Sequence, residues 1–185
     1  MRKVKLQMQM SVNGFVAGPN GELDWMTWNW GDDIGAYVNG LTEPVDCILM
    51  GRVLAEGFIP HWTNHVANPE TADDFGRKMV DTPKVVFSKT LKTVEWNHTR
   101  LAQQNIVAEV NELKQQPGGD IILYGGADFV SSMIENDLID EYHLFVNPTA
   151  IGDGMTVFRG KTNLKLMKAQ AFDCGIVVLH YEPSR

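Results

Sequence analysis

Three short apolar runs constrain this chain more than any other feature. Cys47-Ile-Leu-Met50 runs into Gly51-Arg52, Lys84-Val-Val-Phe87 into Ser88, and Ile121-Ile-Leu-Tyr124 into Gly125-Gly126. A short apolar run closed by a turn signal suits a strand buried on both faces, and such strands belong to parallel sheets covered by helices. Segments that read as helices lie before, between and after them: Asp32 to Leu41, Ala72 to Val80, Asn105 to Gln116 and Ala127 to Asn136. Val4 to Met10 alternates apolar and polar residues, which predicts a strand with one buried face. Ile139 to Val146, Leu164 to Phe172 and Ile176 to Tyr181 also read as strands, the last two as an antiparallel pair around Asp173, Cys174 and Gly175. His61 to Asn68 reads as a polar, proline-punctuated stretch after a short helix. The pattern predicts an α/β fold: a central, mostly parallel sheet flanked by helices, with antiparallel C-terminal strands.

With 185 residues, 44% of them hydrophobic and 21% charged, the chain suits one globular domain over residues 1–185. A formal charge of −7 without a basic stripe argues against nucleic acid or an anionic membrane as partner. It does not argue against a phosphate, which needs only local N–H groups and one or two cations. Cys47 and Cys174 are far apart and read as buried thiols in a reducing compartment. No signal-like segment or membrane-length apolar run occurs, so a cytoplasmic location is expected.

The strand ends are the first candidates for chemistry. Gly51-Arg52 offers close backbone approach and a planar cation suited to phosphate, or simply a glycine turn beside a surface arginine. Ser88-Lys89-Thr90 offers two hydroxyls and an ammonium to a phosphate monoester, or is a solvated strand end. Gly125-Gly126, before a helix that opens with Ala127-Asp128, frees backbone N–H groups to meet an anion where the helix dipole helps. The bland alternative there is a tight turn with close helix packing. The spacing is not the Gly-x-Gly-x-x-Gly of dinucleotide folds.

Five blocks follow one another along the chain: Ser11 to Gly18 with Leu23-Asp24-Trp25, Ile48 to Arg52 with Glu56-Gly57-Phe58 and Trp62, Pro83 to Leu91, Leu123 to Ala127, and Leu138 to Glu141 with Asn147-Pro148, Ile151 to Gly154 and Phe158. Taken together, they resemble the dihydrofolate-reductase-like proteins with a RibD C-terminal-type domain. The resemblance implies an NADPH-dependent reductase of a pyrimidine or pterin-like ring, of the riboflavin-biosynthesis type, acting as a homodimer. It implies that Val16 and Ala17 line the nicotinamide end. Gly51 and Arg52 would meet phosphate, and Ser88, Lys89 and Thr90 the adenosine end. Gly125, Gly126, Ala127 and Asp128 would wrap the pyrophosphate. Substrate would lie near Asp24, Trp25 and Asp33. Asn13 stands where an Asp is common in the family, and Leu54-Ala55 where a Thr-Tyr pair is common.

Asp24 is the expected acid, since reductases of such rings use a nearby carboxyl to orient or protonate them. A solvated loop carboxylate is its equal alternative. For Asp32 and Asp33 the plainer reading is a helix-start carboxylate. Trp25, Trp28 and Trp30 would stack on a flat ring or, more simply, close the core or an interface. His61 and His65 lack a third ligand pattern, so no metal site is expected. The rival function is a nucleotide-binding or ligand-sequestering dimer without turnover; a purely structural dimer is the plainest.

Overall fold

The computed structural model describes residues 1–184. Eight strands form one sheet: β1 (Val4–Met10), β2 (Val45–Gly51), β3 (Lys84–Phe87), β4 (Thr99–Leu101), β5 (Asp120–Leu123), β6 (Glu141–Val146), β7 (Leu164–Ala171) and β8 (Val177–Pro183). Their order is β4-β3-β2-β5-β1-β6-β8-β7. The first six run parallel, and β8 and β7 turn antiparallel at one edge. All six parallel strands therefore end on the same side of the sheet.

Five helices connect them: α1 (Asp32–Thr42), α2 (Arg52–Ala67), α3 (Asp74–Asp81), α4 (Ile106–Gln115) and α5 (Ala127–Glu135). Strand alternation sorts them by face. Leu6, Met8, Leu49, Ile121 and Leu123 meet Val110 and Leu113 of α4 and Val130 and Met133 of α5. On the opposite face, Ile48, Met50, Val86 and Ile122 meet Leu41 of α1, Ala55 and Ile59 of α2, and Met79 of α3. A third cluster joins Ile34 and Val38 of α1 to Phe145 and Val178. Each fully buried aliphatic side chain contributes roughly 1.5–3 kcal/mol, so these layers fix the sheet's register. β1, between the two clusters of the second face, presents Lys5, Gln7 and Gln9 there instead of apolar residues. Lys5 is matched by Asp120 at 2.6 Å, and Gln9 accepts from Asn147 at 2.7 Å.

The elements expected from the runs and spacings are present, within a residue or two at their ends for most. Two local expectations change. The stretch from His61 to Ala67 is helical, continuing α2 through Pro60. Proline removes one helical N–H there, but Ile59 is buried on one side and Phe58 and Trp62 meet edge to face at 6.1 Å, which holds the turn. β4 is an additional three-residue strand, Thr-Arg-Leu, too short and too charged to register as periodic. Cys47 is buried, as expected, and burial pushes its thiol up to about 11. Cys174 is only half-buried, because it lies in the turn between β7 and β8. No helix among the described residues is long and apolar enough to cross a membrane.

Candidate functional site

The carboxyl ends of β3, β2, β5, β1 and β6 lie side by side, spanning four inter-strand gaps of about 4.8 Å, or roughly 19 Å. Every expected cofactor contact lies along this edge, since each belongs to a segment that leaves one of these strands. At its centre, the neighbouring strands β2 and β5 send their helices to opposite faces, α2 to one and α5 to the other. A crevice outside such a switch point is where open α/β sheets hold ligands.

This part of the edge is built of bare backbone. Gly51 is the N-cap of α2 and Gly126 the N-cap of α5, so no side chain caps either helix. The Gly51 N–H donates to the Gly125 carbonyl at 3.4 Å. A Cβ on Gly126 would stand 3.6 Å from the Gly51 Cα, and one on Gly51 would press to 3.1 Å from the Phe129 Cβ. Gly125 and Gly126 sit at φ +124° and +90°, a region that favours glycine. The result is two uncapped helix N-termini side by side, each carrying first-turn N–H groups and a positive dipole end.

The surrounding side chains are arranged as follows. Arg52 spends its guanidinium on Glu56, at 2.9 and 3.0 Å, one helical turn on. Leu54 packs towards Gly125, where its Cδ2 lies 3.4 Å from a built Cβ, and Ala55 is fully buried. The Ser88 hydroxyl accepts from the N–H groups of Thr90 and Leu91, making a tight turn that leaves Lys89 and Thr90 exposed. Ala127 packs against the core, and exposed Asp128 pairs with Arg159. Phe87 and Phe129 stack at 4.6 Å, tying the end of β3 to α5.

The other half of the edge is a clamp of loops. Val16 N–H donates to Met155 carbonyl at 2.8 Å and Met155 N–H to Ala17 carbonyl at 2.9 Å. Val16 and Ala17 are thereby buried against the segment after β6. Gly154 permits this, since a Cβ there would strike the Ala17 carbonyl at 2.2 Å. Asn13 completes the clamp: its amide donates to the Ile151 carbonyl and its oxygen accepts from the Ile151 N–H at 3.2 Å. An Asp at this position lacks the donor, so the Asn13 departure has a structural use. Asn147, fully buried at the end of β6, accepts from Thr27 N–H at 2.8 Å and draws the tryptophan-rich loop over the edge.

Within that loop Asp24 is exposed in a turn, and the Trp25 indole donates to the Glu22 carbonyl at 3.1 Å. Trp30 stacks on Phe145 at 6.1 Å and packs against the core, while Trp28 lies on Trp30 at 6.0 Å with most of its ring exposed. Asp33 is brought elsewhere. Its two oxygens accept from the N–H groups of Ile34 and Asp173, at 2.8 and 2.9 Å. These bonds, Asp173 first, hold its carboxyl below the usual range against a small opposing effect of burial. Asp33 thus clasps α1 to the β7–β8 turn rather than standing free for a ligand. Asn147 and Gly154 carried no assigned role in the sequence; a polar residue directly after a buried strand was the available signal for Asn147.

Two cavities of about 220 and 490 Å³ lie away from this edge, around Trp62 and Trp96 and around Arg2 and Cys47. Neither is lined by a residue of the carboxyl edge.

The sequence matches the RibD C-terminal domain family over residues 2–178. This chain belongs to that family. A relative of similar length is the uncharacterized protein YyaP of Bacillus subtilis, 32% identical over 186 residues, covering 97% of this chain and 94% of YyaP. The riboflavin biosynthesis protein RibD of Corynebacterium ammoniagenes is 23% identical over 155 residues, 83% of this chain but 45% of that longer protein. Among solved structures, the domain is similar to a diaminohydroxyphosphoribosylaminopyrimidine deaminase/5-amino-6-(5-phosphoribosylamino)uracil reductase of Thermotoga maritima. The TM-score is 0.69 at 16% identity, over 98% of this chain and 56% of that one, which shows a shared fold. The expected fold and family are thus both met.

Proposed function

We propose that this RibD C-terminal domain is an NADPH-dependent reductase that transfers hydride to a flat heterocycle, a pyrimidine or pterin-like ring. The observation that carries the reading is the pair of uncapped helix N-termini meeting through Gly51, Gly125 and Gly126 at the sheet's switch point. Such a cradle fits a pyrophosphate, because backbone N–H groups and two dipole ends converge on one anion. NADPH, when bound, supplies the hydride.

The chain's own residues hold and orient the reactants. Gly51, Gly125, Gly126 and the first turn at Ala127 and Asp128 take the pyrophosphate, and Arg52 joins them by leaving Glu56. Ser88, Lys89 and Thr90 meet the adenosine end, where the exposed ammonium and hydroxyl favour a 2′-phosphate. Val16 and Ala17, fixed by Met155, form a rigid wall for the nicotinamide end, and rigidity there serves a reaction that depends on face-to-face placement. Trp25 and Asp24 border the substrate, with Asp24 positioning the ring or delivering a proton.

Titration with NADPH and NADH, followed by nicotinamide fluorescence, tests the reading. NADPH is expected to bind more tightly, and Arg52→Ala with Lys89→Ala to weaken it; failure of both nucleotides to bind sinks it. Asp24→Asn is expected to lower turnover of a heterocyclic substrate by about 10²–10⁴-fold while sparing NADPH binding. The exposure of Asp24 favours a second reading, a nucleotide-binding or ligand-sequestering dimer without turnover. Tight NADPH binding with no reduction across a panel of flat heterocycles would favour that one.

A further inference from the structure

Away from the carboxyl edge, β6 and β8 gather three donors that nothing in the reductase reading uses. Glu141 and His143 alternate on β6, and His180 stands opposite His143 on β8. One donor atom from each lies within 4.8 Å of the others. Glu141 Oε2 is 3.3 Å from His143 Nε2 and 3.8 Å from His180 Nε2. Glu141 Oε1 is taken by Lys3 Nζ at 2.5 Å, which leaves Oε2 facing the imidazoles.

The histidines are unequal. The His143 Nδ1 is occupied by the Tyr37 hydroxyl of α1 at 2.7 Å, which fixes the ring and turns Nε2 towards Glu141. An outer partner on the far nitrogen is how a metal-binding histidine is oriented. The His180 Nε2 is buried and has no hydrogen-bond partner. A buried polar atom without a partner is costly and calls for an explanation. The two rings stack at 4.3 Å and 13°.

We propose that Glu141, His143 and His180 form a binding site for one divalent transition-metal ion of the zinc type. Two imidazole nitrogens and one carboxylate oxygen are the donor set of such ions, with a fourth position left to water. The ion gives the orphaned His180 Nε2 its missing partner. Capture requires the His180 ring to tilt out of its stack on His143 towards Oε2, a χ2 adjustment that histidine makes over a broad range. The Lys3 ammonium, and Lys165 and Lys168 across from Glu182 and His180, oppose a cation and moderate the affinity. The site lies at the start and middle of β6, on the face of α1, and is independent of NADPH.

The test uses the full chain stripped with a chelator and titrated with cobalt(II), then zinc(II), against a chromophoric competitor. One cobalt per chain is expected, with visible d–d bands that zinc abolishes. His180→Ala should weaken binding at least about tenfold, and Glu141→Gln should do the same in a chain whose circular dichroism is unchanged. His61→Ala, which removes one of the two histidines on α2, should leave binding intact. Absence of stoichiometric uptake would overturn the proposal, as would uptake undiminished in both His180→Ala and Glu141→Gln, or loss with His61→Ala instead.

Discussion

Gly126, at φ +90° and ψ +101°, holds a backbone that a residue with a side chain enters at a cost of about 1–3 kcal/mol. A Cβ there would meet the Gly51 Cα at an ordinary contact distance of 3.6 Å, so the cost is backbone strain and a methyl group set into the cradle. Gly126→Ala is therefore expected to lose stability by about that amount in urea unfolding, and to weaken NADPH binding in the fluorescence titration. Retained affinity would move the pyrophosphate away from this turn. Asp33 makes a different prediction. Backbone N–H groups of Asp173 and Ile34 depress its carboxyl in the folded chain. A depressed acid stabilises above its unfolded value of about 3.9 and loses that contribution as pH falls through the folded value. Asp33→Ala should thus lower Tm at neutral pH, with the gap to the parent chain closing below about pH 4. A gap that persists in acid would mean that packing, not the two hydrogen bonds, is what Asp33 supplies.

At the scale of elements, α2 carries the clearest conflict between local preference and tertiary packing. Pro60 is exposed and inside the helix, so it removes an N–H while burying little. Pro60→Ala is expected to stabilise the protein by about 2 kcal/mol, the helical cost of proline less the entropy it takes from the unfolded chain. An unchanged or lower Tm would show that Pro60 is needed to seat Trp62 against Phe75, which lie 5.3 Å apart edge to face. The helices α3 and α4 show the opposite case, in which sequence and structure agree. Asp73 and Asn105 cap them through Gly76 and Ala108 N–H groups, at 2.6 and 3.0 Å. Lys84 is fully buried, yet it donates to the Val80 and Thr82 carbonyls at 2.8 and 2.7 Å and so closes the end of α3.

For the whole molecule, the sheet ends in a free edge at β7, where Leu166 and Met167 are about half exposed around a register shift. An exposed strand edge with apolar residues is a template for pairing. We propose, with the family resemblance, that a second copy covers it. Sedimentation should give a dimer, and Leu166→Lys should shift it towards monomer; a parent chain that sediments as a monomer ends the idea.

By itself the sequence determined the alternation of strands and helices, because burial on both faces writes an apolar run and burial on one face writes a period. It also marked the glycines of the cradle, two of which, Gly125 and Gly126, hold a positive φ that few other residue types adopt, and five ordered blocks carried the family. Tertiary structure decided the rest. The order β2-β5-β1-β6 brings Gly51 beside Gly125 although 74 positions separate them in the numbering. Asp33, read as a ligand contact, found one backbone N–H at Ile34 beside it and another at Asp173, on a turn 140 residues away. Glu141, His143 and His180 share no local motif, and only the β6–β8 register sets them together. Local patterns record what each segment buries; they hold no record of which distant strand supplies the partner.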